Sequence, residues 1–172
     1  DLSQNTALTY LHVTSLDTLD LSNNPDLLTL KVITQTNIDL SQNTSLKHLE
    51  CGGGQLTSLD LSQNTTLTLL KCQGNQLTEL DLSQNDSLET VWAYDNQLTS
   101  LNLSNGNNTS LLSLNVSNNQ SLYCIDVDNV FWANNNFTND YWPWQWGTIL
   151  YIDAWTSFSL DCSTAFECTD SL

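Results

Sequence analysis

The sequence predicts a repeat solenoid, a coil of short parallel β-strands, and three observations support this fold class. The stretch Leu59–Glu79, LDLSQNTTLTLLKCQGNQLTE, recurs in both directions until the repeats end near residue 127. Each unit holds short apolar runs in which leucines alternate with outward residues, the period of a half-buried strand. An asparagine closes each run, as Asn64 and Asn75 do. A unit this short cannot bury its apolar stripe alone, so it must stack on copies of itself.

Each coil is expected to contain two strands. One is the Leu-Asp-Leu strand, whose rungs end at Leu2, Leu21, Leu40, Leu61, Leu82, Leu103 and, as a degenerate copy, Val127. The other, called here the variable strand, has rungs that end at Val13, Val32, Cys51, Cys72, Ala93 and Val116. Helical periodicity is absent, so we expect about six coils that form two narrow parallel sheets joined by tight turns, with coils about 4.8 Å apart. The asparagines suit the corners because their amides can bond backbone groups from coil to coil.

Each repeat unit, such as Leu59–Glu79, contains the pattern L-x-x-L-x-L-x-x-N twice. This nested repeat resembles the leucine-rich repeat family. It is most similar to the 21-residue nested class common in secreted proteins of Bacteroidetes. The resemblance covers about three quarters of the chain. It implies a mostly β solenoid and recognition of protein or glycan partners, with a role in adhesion.

The chain divides into a solenoid over residues 1–127 and a capping segment over residues 128–172. The first residues, DLSQN, lie in mid-repeat, so we expect a fragment that lacks its N-terminal cap. An open solenoid end exposes apolar side chains and a strand edge, so a covering element is needed. The capping segment has the required aromatic residues: Phe131, Trp132, Phe137, Tyr141, Trp142, Trp144, Trp146, Tyr151, Trp155 and Phe158.

Charge and composition exclude several classes of partner. The formal net charge is −16, with only three lysines or arginines. Nucleic acids and anionic membranes need neutralising cations, so neither is an expected partner. No apolar run is long enough for a membrane span, and no signal peptide is evident. The abundance of Asn, Ser, Thr and Gln favours an extracellular or cell-surface protein, which we expect to be monomeric.

The five cysteines fall into two groups. Cys51 and Cys72 occupy the same inward position in successive coils and are expected to be buried free thiols. Cys124, Cys162 and Cys168 lie in or after the last coil, where a disulfide would hold the cap in place. We expect Cys124 to pair with Cys162, although pairing with Cys168 is also open.

The middle residue of the Leu-Asp-Leu strand is nearly constant between coils. Neighbouring carboxylates repel by roughly 1 kcal/mol in water, so hydrogen bonds, raised pKa values or a cation must offset the repulsion. A carboxylate bonded at a turn is the simplest explanation. Calcium is the alternative, because hard oxygens in a row suit it, but a complete binding loop is not evident. This aspartate ladder comprises Asp1, Asp20, Asp39, Asp60, Asp81, Asn102 and Asp126.

The outward residues of the variable strand differ from coil to coil. All the lysines and both histidines lie on this strand or beside it. Trp92 and Tyr94 add aromatic area of the kind that anchors interfaces. We therefore predict that this face binds a partner. The predicted site residues are Tyr10, His12, Lys31, Ile33, His48, Glu50, Lys71, Trp92 and Tyr94.

Other functions have weaker support in the sequence. The chain could be a passive structural spacer in a larger surface protein, and the outward residues would then be free to drift. The segment Trp142–Trp146, WPWQW, could stack on sugar rings, while ice binding is disfavoured because Thr6, Thr44 and Thr65 form a broken row. Catalysis is not expected, because no nucleophile and base are brought together and the aspartates share one environment.

Overall fold

The computed structural model describes residues 2–16, 19–34, 37–136, 149–153 and 156–163. The chain forms a succession of short parallel strands that stack into two sheets, and apolar side chains fill the space between the sheets. The predicted repeat solenoid with two parallel sheets is confirmed.

The larger sheet, called here the variable sheet, contains seven strands in the order β1-β2-β3-β4-β6-β8-β10. Six of them lie at the predicted rungs of the variable strand. Every adjacent pair is parallel. The strands are β1 (Tyr10–Leu16), β2 (Thr29–Thr34), β3 (His48–Glu50), β4 (Leu69–Lys71), β6 (Thr90–Trp92), β8 (Ser113–Asn115) and β10 (Ile149–Tyr151).

The smaller sheet, called here the Leu-Asp-Leu sheet, contains four strands in the order β11-β9-β7-β5. The strands are β5 (Glu79–Asp81), β7 (Ser100–Asn102), β9 (Cys124–Asp126) and β11 (Ser157–Ser159). The expectation of a strand at every Leu-Asp-Leu rung is wrong for the early coils, because the described rungs ending at Leu21, Leu40 and Leu61 are not strands.

A side chain accounts for one of these missing rungs. The Asn37 amide oxygen accepts hydrogen bonds from the backbone N–H groups of Thr57 (3.0 Å) and Ser58 (3.2 Å). Its Nδ2 group donates to the Ser58 hydroxyl at 2.8 Å. The side chain therefore takes up backbone donors next to the place where a main-chain ladder would form.

The capping segment does more than cover the last coil. Strand β10 pairs with β8 and strand β11 pairs with β9, so the segment adds a final rung to each sheet. It also contains the helix α1 (Val130–Asn136), whose Ala133 is fully buried. None of the described helices has the length and apolar character needed to cross a bilayer.

The core is a set of leucine columns with one residue from each coil. Leu27, Leu46, Leu67 and Leu88 are at most 2 % exposed and form one such column. Burying one leucine side chain stabilises the fold by roughly 1.5–3 kcal/mol. An isolated coil cannot gain this free energy, because its leucines would stay exposed to water.

One asparagine ladder ties each coil to the coil before it. The Asn64 Nδ2 group donates to the carbonyl oxygens of Leu40 (3.2 Å) and Asn43 (2.9 Å), and Asn43 and Asn85 repeat this arrangement. These asparagines are fully buried. Their Oδ1 atoms, like that of Asn24, have no hydrogen-bond partner in the described part of the chain. The hydrogen bonds that link successive coils are therefore all donated by the Nδ2 groups of these asparagines.

The second asparagine ladder uses both ends of the amide. Asn96 Nδ2 donates to the carbonyl oxygens of Cys72 and Ala93, both at 3.0 Å, and its Oδ1 accepts the Leu77 N–H at 3.1 Å. Asn75 and Asn119 make the equivalent bonds in their own coils. The asparagine at the end of each apolar run thus has the corner role that its position predicts.

The corner after the variable strand requires a left-handed backbone. Gly53 and Gly74 supply it with φ of 76° and 66°, while Asp95 and Asn118 adopt φ of 56° and 58° at the same place. Asn118 Nδ2 also donates to Asp95 Oδ1 at 2.8 Å. Glycine, Asn and Asp are the residues that tolerate this conformation best.

Replacing Asn64 by alanine tests the first ladder. The variant Asn64→Ala removes two buried hydrogen bonds to the preceding coil, although each carbonyl oxygen keeps one backbone donor. The free energy of unfolding should therefore fall by about 1–2 kcal/mol. Equilibrium urea unfolding monitored by circular dichroism measures the change. The control is Gln63→Ala, because Gln63 is exposed and its side chain makes a single hydrogen bond within the described residues, to the Ser62 hydroxyl at 3.4 Å. Equal stability of the two variants would contradict the role given to Asn64.

Candidate functional site

The outward residues of the variable sheet form a column in exact strand register. Lys31 pairs with His12 on one side and Glu50 on the other, and Glu50 in turn pairs with Lys71. Trp92 follows Lys71 in the next rung. Five predicted site residues from five coils are therefore brought side by side.

The remaining predicted site residues flank this column. On one side of the central column, Tyr10 and His48 belong to a second column of outward residues, in which both pair with Thr29. Ile33 and Tyr94 follow the central column on the other side. Tyr10 is 53 % exposed and Ile33 is 37 % exposed, whereas Tyr94 is half-buried.

A glycine opens space within the flanking column. A Cβ atom on Gly52 would lie 2.7 Å from the side-chain amide of Gln73. The Gln73 side chain therefore occupies the place that a residue at position 52 would fill.

Glu50 is the electrostatic centre of the face. Its Oε1 lies 2.9 Å from Lys31 Nζ, and its Oε2 lies 4.0 Å from Lys71 Nζ. The side chains of Lys31 and Glu50 are 37 % and 31 % exposed, so solvent screens their attraction. One carboxylate thus compensates the two lysines that lie beside it in the sheet. Lys47, immediately before β3, is exposed.

These contacts shift the titration of both partners. The hydrogen bond from Lys31 is the main cause that lowers the pKa of Glu50. Burial opposes it, and the nearby charges of Lys71, Lys31 and His12 lower the pKa further. The hydrogen bond to Glu50 raises the pKa of Lys31. The ion pair is therefore fully formed across the neutral pH range.

The Trp92 side chain contacts one residue from each of the two neighbouring strands. The Lys71 ammonium lies 4.5 Å from the centroid of the Trp92 ring, within the range of a cation–π interaction. The Trp92 Nε1–H donates to the Ser113 hydroxyl at 3.1 Å. The indole nitrogen is thus satisfied within the sheet, and the ring is left as the contact surface.

The groups that could support catalysis are separated. His12 and His48 lie on different strands, and the His48 Nδ1 atom is 3.4 Å from the Thr29 hydroxyl. Cys51 and Cys72 are buried free thiols. Burial raises the pKa of Cys51 well above its usual value and that of Cys72 to about 12. Neither thiol is a nucleophile at neutral pH.

Four aspartates of the ladder are each fixed by their own turn. Asp20, Asp39, Asp60 and Asp81 each accept, at 2.9 Å, a hydrogen bond from the backbone N–H of the serine two residues later. Asn102 makes the same bond to Ser104, so the neutral amide can replace the carboxylate.

Hydrogen bonds from Ser22, Ser41 and Ser62 lower the pKa values of Asp20, Asp39 and Asp60. Among the described residues, no group of three or more His, Cys, Asp or Glu side chains could hold a metal ion. Calcium binding by the Asp20, Asp39, Asp60 and Asp81 ladder stays a prediction, which thermal melting with calcium and with a chelator tests.

The cap is tied to the solenoid by a disulfide and by carboxylates. Cys124 and Cys162 form a disulfide with a Cα–Cα distance of 5.7 Å, the pairing expected from their positions. The Asp126 carboxylate accepts the Cys162 N–H, and Asp153 accepts the N–H groups of Asn118 (3.2 Å) and Asn119 (3.0 Å). Cys168 and the WPWQW segment at 142–146 lie outside the described residues.

Two features of this face could not be seen in the repeat alone. Tyr151 pairs with Asn115 and adds an outward aromatic residue to the central column, although the sequence assigned it to the cap. The alternation in Ile149–Ile152 was the available signal, because Tyr151 stands between apolar residues. The pairing of Glu50 with Lys31 and Lys71 depends on cross-strand register, which single-strand patterns do not report.

Solved structures of two bacterial proteins are similar to this fold. The functional domain of InlJ from Listeria monocytogenes, described as including a cysteine ladder, matches with a TM-score of 0.59 and 25 % identity over 88 % of this chain. The fold is that of a leucine-rich repeat protein. The internalin InlF from the same species matches with a TM-score of 0.54 and 21 % identity over 74 % of this chain.

The chain spans 40 % of the InlJ chain and 43 % of the InlF chain. No protein-family model matches the sequence, and neither does a curated protein. The Cys51 and Cys72 pair is a short stack of inward cysteines within the same kind of fold.

The variant Glu50→Gln tests the central ion pair. Because the folded-state pKa of Glu50 lies below its ordinary value of 4.5, its carboxylate stabilises the fold above that pH and stops doing so as the pH falls. The variant should lose up to about 1 kcal/mol of unfolding free energy at neutral pH.

The difference from the native protein should disappear between about pH 5 and about pH 3. Urea unfolding across this pH series measures it. Glu89→Gln is the control, because Glu89 is exposed near the same sheet and makes no ion pair within the described part of the chain. A difference that persists at the lowest pH would contradict the assignment.

Proposed function

We propose that this chain is an extracellular recognition module that binds protein or glycan partners through the outward face of the variable sheet. The observation that carries the proposal is a contrast between the sheets. Most outward residues of the Leu-Asp-Leu strand are aspartates or asparagines bonded at their own turns, whereas those of the variable sheet change chemistry at nearly every rung. The repeat imposes no structural requirement on the latter set.

The distribution of charge supports the same face. The chain carries 19 acidic residues and three lysines, and all the lysines lie in or beside the variable sheet. A partner that approaches elsewhere meets a predominantly anionic surface. This face also carries Trp92, Tyr94 and Tyr10, residue types that are enriched at binding interfaces.

The likeness to internalin domains supports a protein-interaction or adhesion role for this chain. An extracellular location is supported by the Cys124–Cys162 disulfide, because disulfides persist in oxidising compartments. The high content of uncharged polar residues agrees with that location.

A passive spacer is the competing function, and one observation favours it. Glu50 already satisfies Lys31 and Lys71, so the charges of the face are paired without a ligand. A spacer would tolerate replacement of the outward residues without loss of attachment.

The double variant Trp92→Ser/Tyr94→Ser separates the two functions. The purified protein is screened against surface-protein extracts and polysaccharides, with and without calcium. Under the recognition proposal the double variant should bind any detected partner at least about tenfold more weakly, the loss expected for an aromatic anchor.

Tyr123→Ser is the matched control, because Tyr123 is 54 % exposed and precedes β9 of the other sheet. This variant should bind like the native protein. Undiminished binding by the double variant, or equal losses in both variants, would count against the variable sheet as the recognition surface.

A further inference from the structure

The three lysines of the chain lie on three consecutive rungs of the variable sheet. Lys31 belongs to β2 and Lys71 belongs to β4. Lys47 lies at the start of the rung between them, where its N–H donates to the Leu28 carbonyl oxygen at 2.9 Å and its own carbonyl oxygen accepts the Thr68 N–H at 2.8 Å. We call these three lysines, together with Glu50, the lysine patch.

The charge of the lysine patch is opposite to that of the rest of the chain. Three lysines and Glu50 give the patch a formal charge of +2, whereas the 19 acidic residues of the chain less Glu50 give the remainder −18. Charges are screened over about 8–10 Å at physiological ionic strength, so a group that docks on the patch responds mainly to the patch itself. An anionic group is therefore attracted here and repelled elsewhere.

Two of the three ammonium groups have donors available for a partner. Lys31 Nζ is engaged by Glu50 at 2.9 Å, but Lys71 Nζ lies 4.0 Å from the same carboxylate, which is beyond hydrogen-bond distance. Lys47 is exposed and makes no ion pair within the described part of the chain. Each ammonium group carries three N–H donors. Lys47 and Lys71 are thus the groups that an incoming anion contacts first.

Exposed aliphatic side chains lie between these charges. Leu28 is 39 % exposed and is hydrogen-bonded through its backbone to Lys47. Ile33 is 37 % exposed and follows Lys31 by two residues, so both point to the same face of β2. An acidic polysaccharide supplies carboxylates but no aliphatic side chains to cover Leu28 and Ile33. A protein segment in which acidic and apolar residues are neighbours supplies both.

The spacing of the lysines matches such a segment. Lys31 and Lys71 are two rungs apart, which corresponds to about 9–10 Å. An extended peptide rises about 3.3 Å per residue, so carboxylates three residues apart reach both rungs.

We infer that the lysine patch is a docking surface for an acidic segment of a protein partner. The inference rests on the proposed function, because the patch lies within the proposed recognition face. It names the chemistry of the partner and adds Lys47 and Leu28 to the residues that contact it.

The experiment uses the full chain and an end-blocked octapeptide with glutamate at every third position and leucine or alanine between. A second peptide has glutamine in place of glutamate, and a third keeps the glutamates but has serine in place of leucine. Chemical-shift titration by nuclear magnetic resonance measures affinity. The acidic peptide should bind at least about fivefold more tightly than the glutamine peptide and about threefold more tightly than the serine peptide.

Three variants test the charges of the patch. Lys47→Gln and Lys71→Gln each remove one cation and should weaken binding of the acidic peptide about threefold. Glu50→Gln removes the carboxylate that competes for Lys31 and Lys71, so it should strengthen binding about threefold. A merely structural role for Glu50 predicts the opposite sign.

The matched controls make the same changes of charge on the other sheet. Glu79→Gln repeats the Glu50 substitution at the exposed first residue of β5. Asn102→Asp lowers the net charge by one, as the lysine variants do, at a place where other coils have aspartate. Both controls should bind the acidic peptide like the native protein in calcium-free buffer.

The remaining outcomes overturn the inference and separate it from the proposed function. Equal binding of the acidic and glutamine peptides, or equal effects of patch variants and controls, would show that the lysine patch is not a docking surface. Tighter binding of oligogalacturonate than of the acidic peptide would make a glycan the occupant instead. If Trp92→Ser/Tyr94→Ser loses a partner that Lys47→Gln and Lys71→Gln retain, the recognition face stands and the lysine patch is wrong.

Discussion

The structure depends on the contact between a buried asparagine and the backbone of the preceding coil. Asn64 and its equivalents each donate to two carbonyl oxygens of the preceding coil, which thereby gain a second hydrogen bond besides their backbone donor. These buried bonds form only when successive coils are in register, so they favour a single stacking register. The leucine columns then close the core. Because register is set inside the coil, outward residues are free of that task.

The outward residues of the two sheets differ in what fixes them. In most rungs of the aspartate ladder the side chain accepts a hydrogen bond from its own turn, which favours Asp or Asn and keeps the surface uniform. In the variable sheet, most side chains of the central column interact with their neighbours in adjacent rungs. Lys31, Glu50, Lys71 and Trp92 form one such chain of contacts. A uniform framework therefore supports a surface that can differ at each rung.

The repeat period was sufficient to predict the strands of the variable sheet and the residues on its outer face, because side-chain direction in a strand alternates strictly. It was insufficient for the early Leu-Asp-Leu rungs, which are not strands, and beside one of them the Asn37 side chain bonds the backbone donors of Thr57 and Ser58. Tyr151 was missed because its strand lies in the cap, beyond the repeats. Such features depend on tertiary contacts that a local pattern does not contain.

The most direct test of this account is equilibrium urea unfolding of a chain in which His12, Lys31, Glu50, Lys71 and Trp92 are all replaced by threonine. If internal ladders and leucine columns hold the coils together, the variant should unfold cooperatively, with a free energy within about 2 kcal/mol of the native value. A loss of several kcal/mol, or non-cooperative unfolding, would show that the outward residues support the fold and would contradict the account.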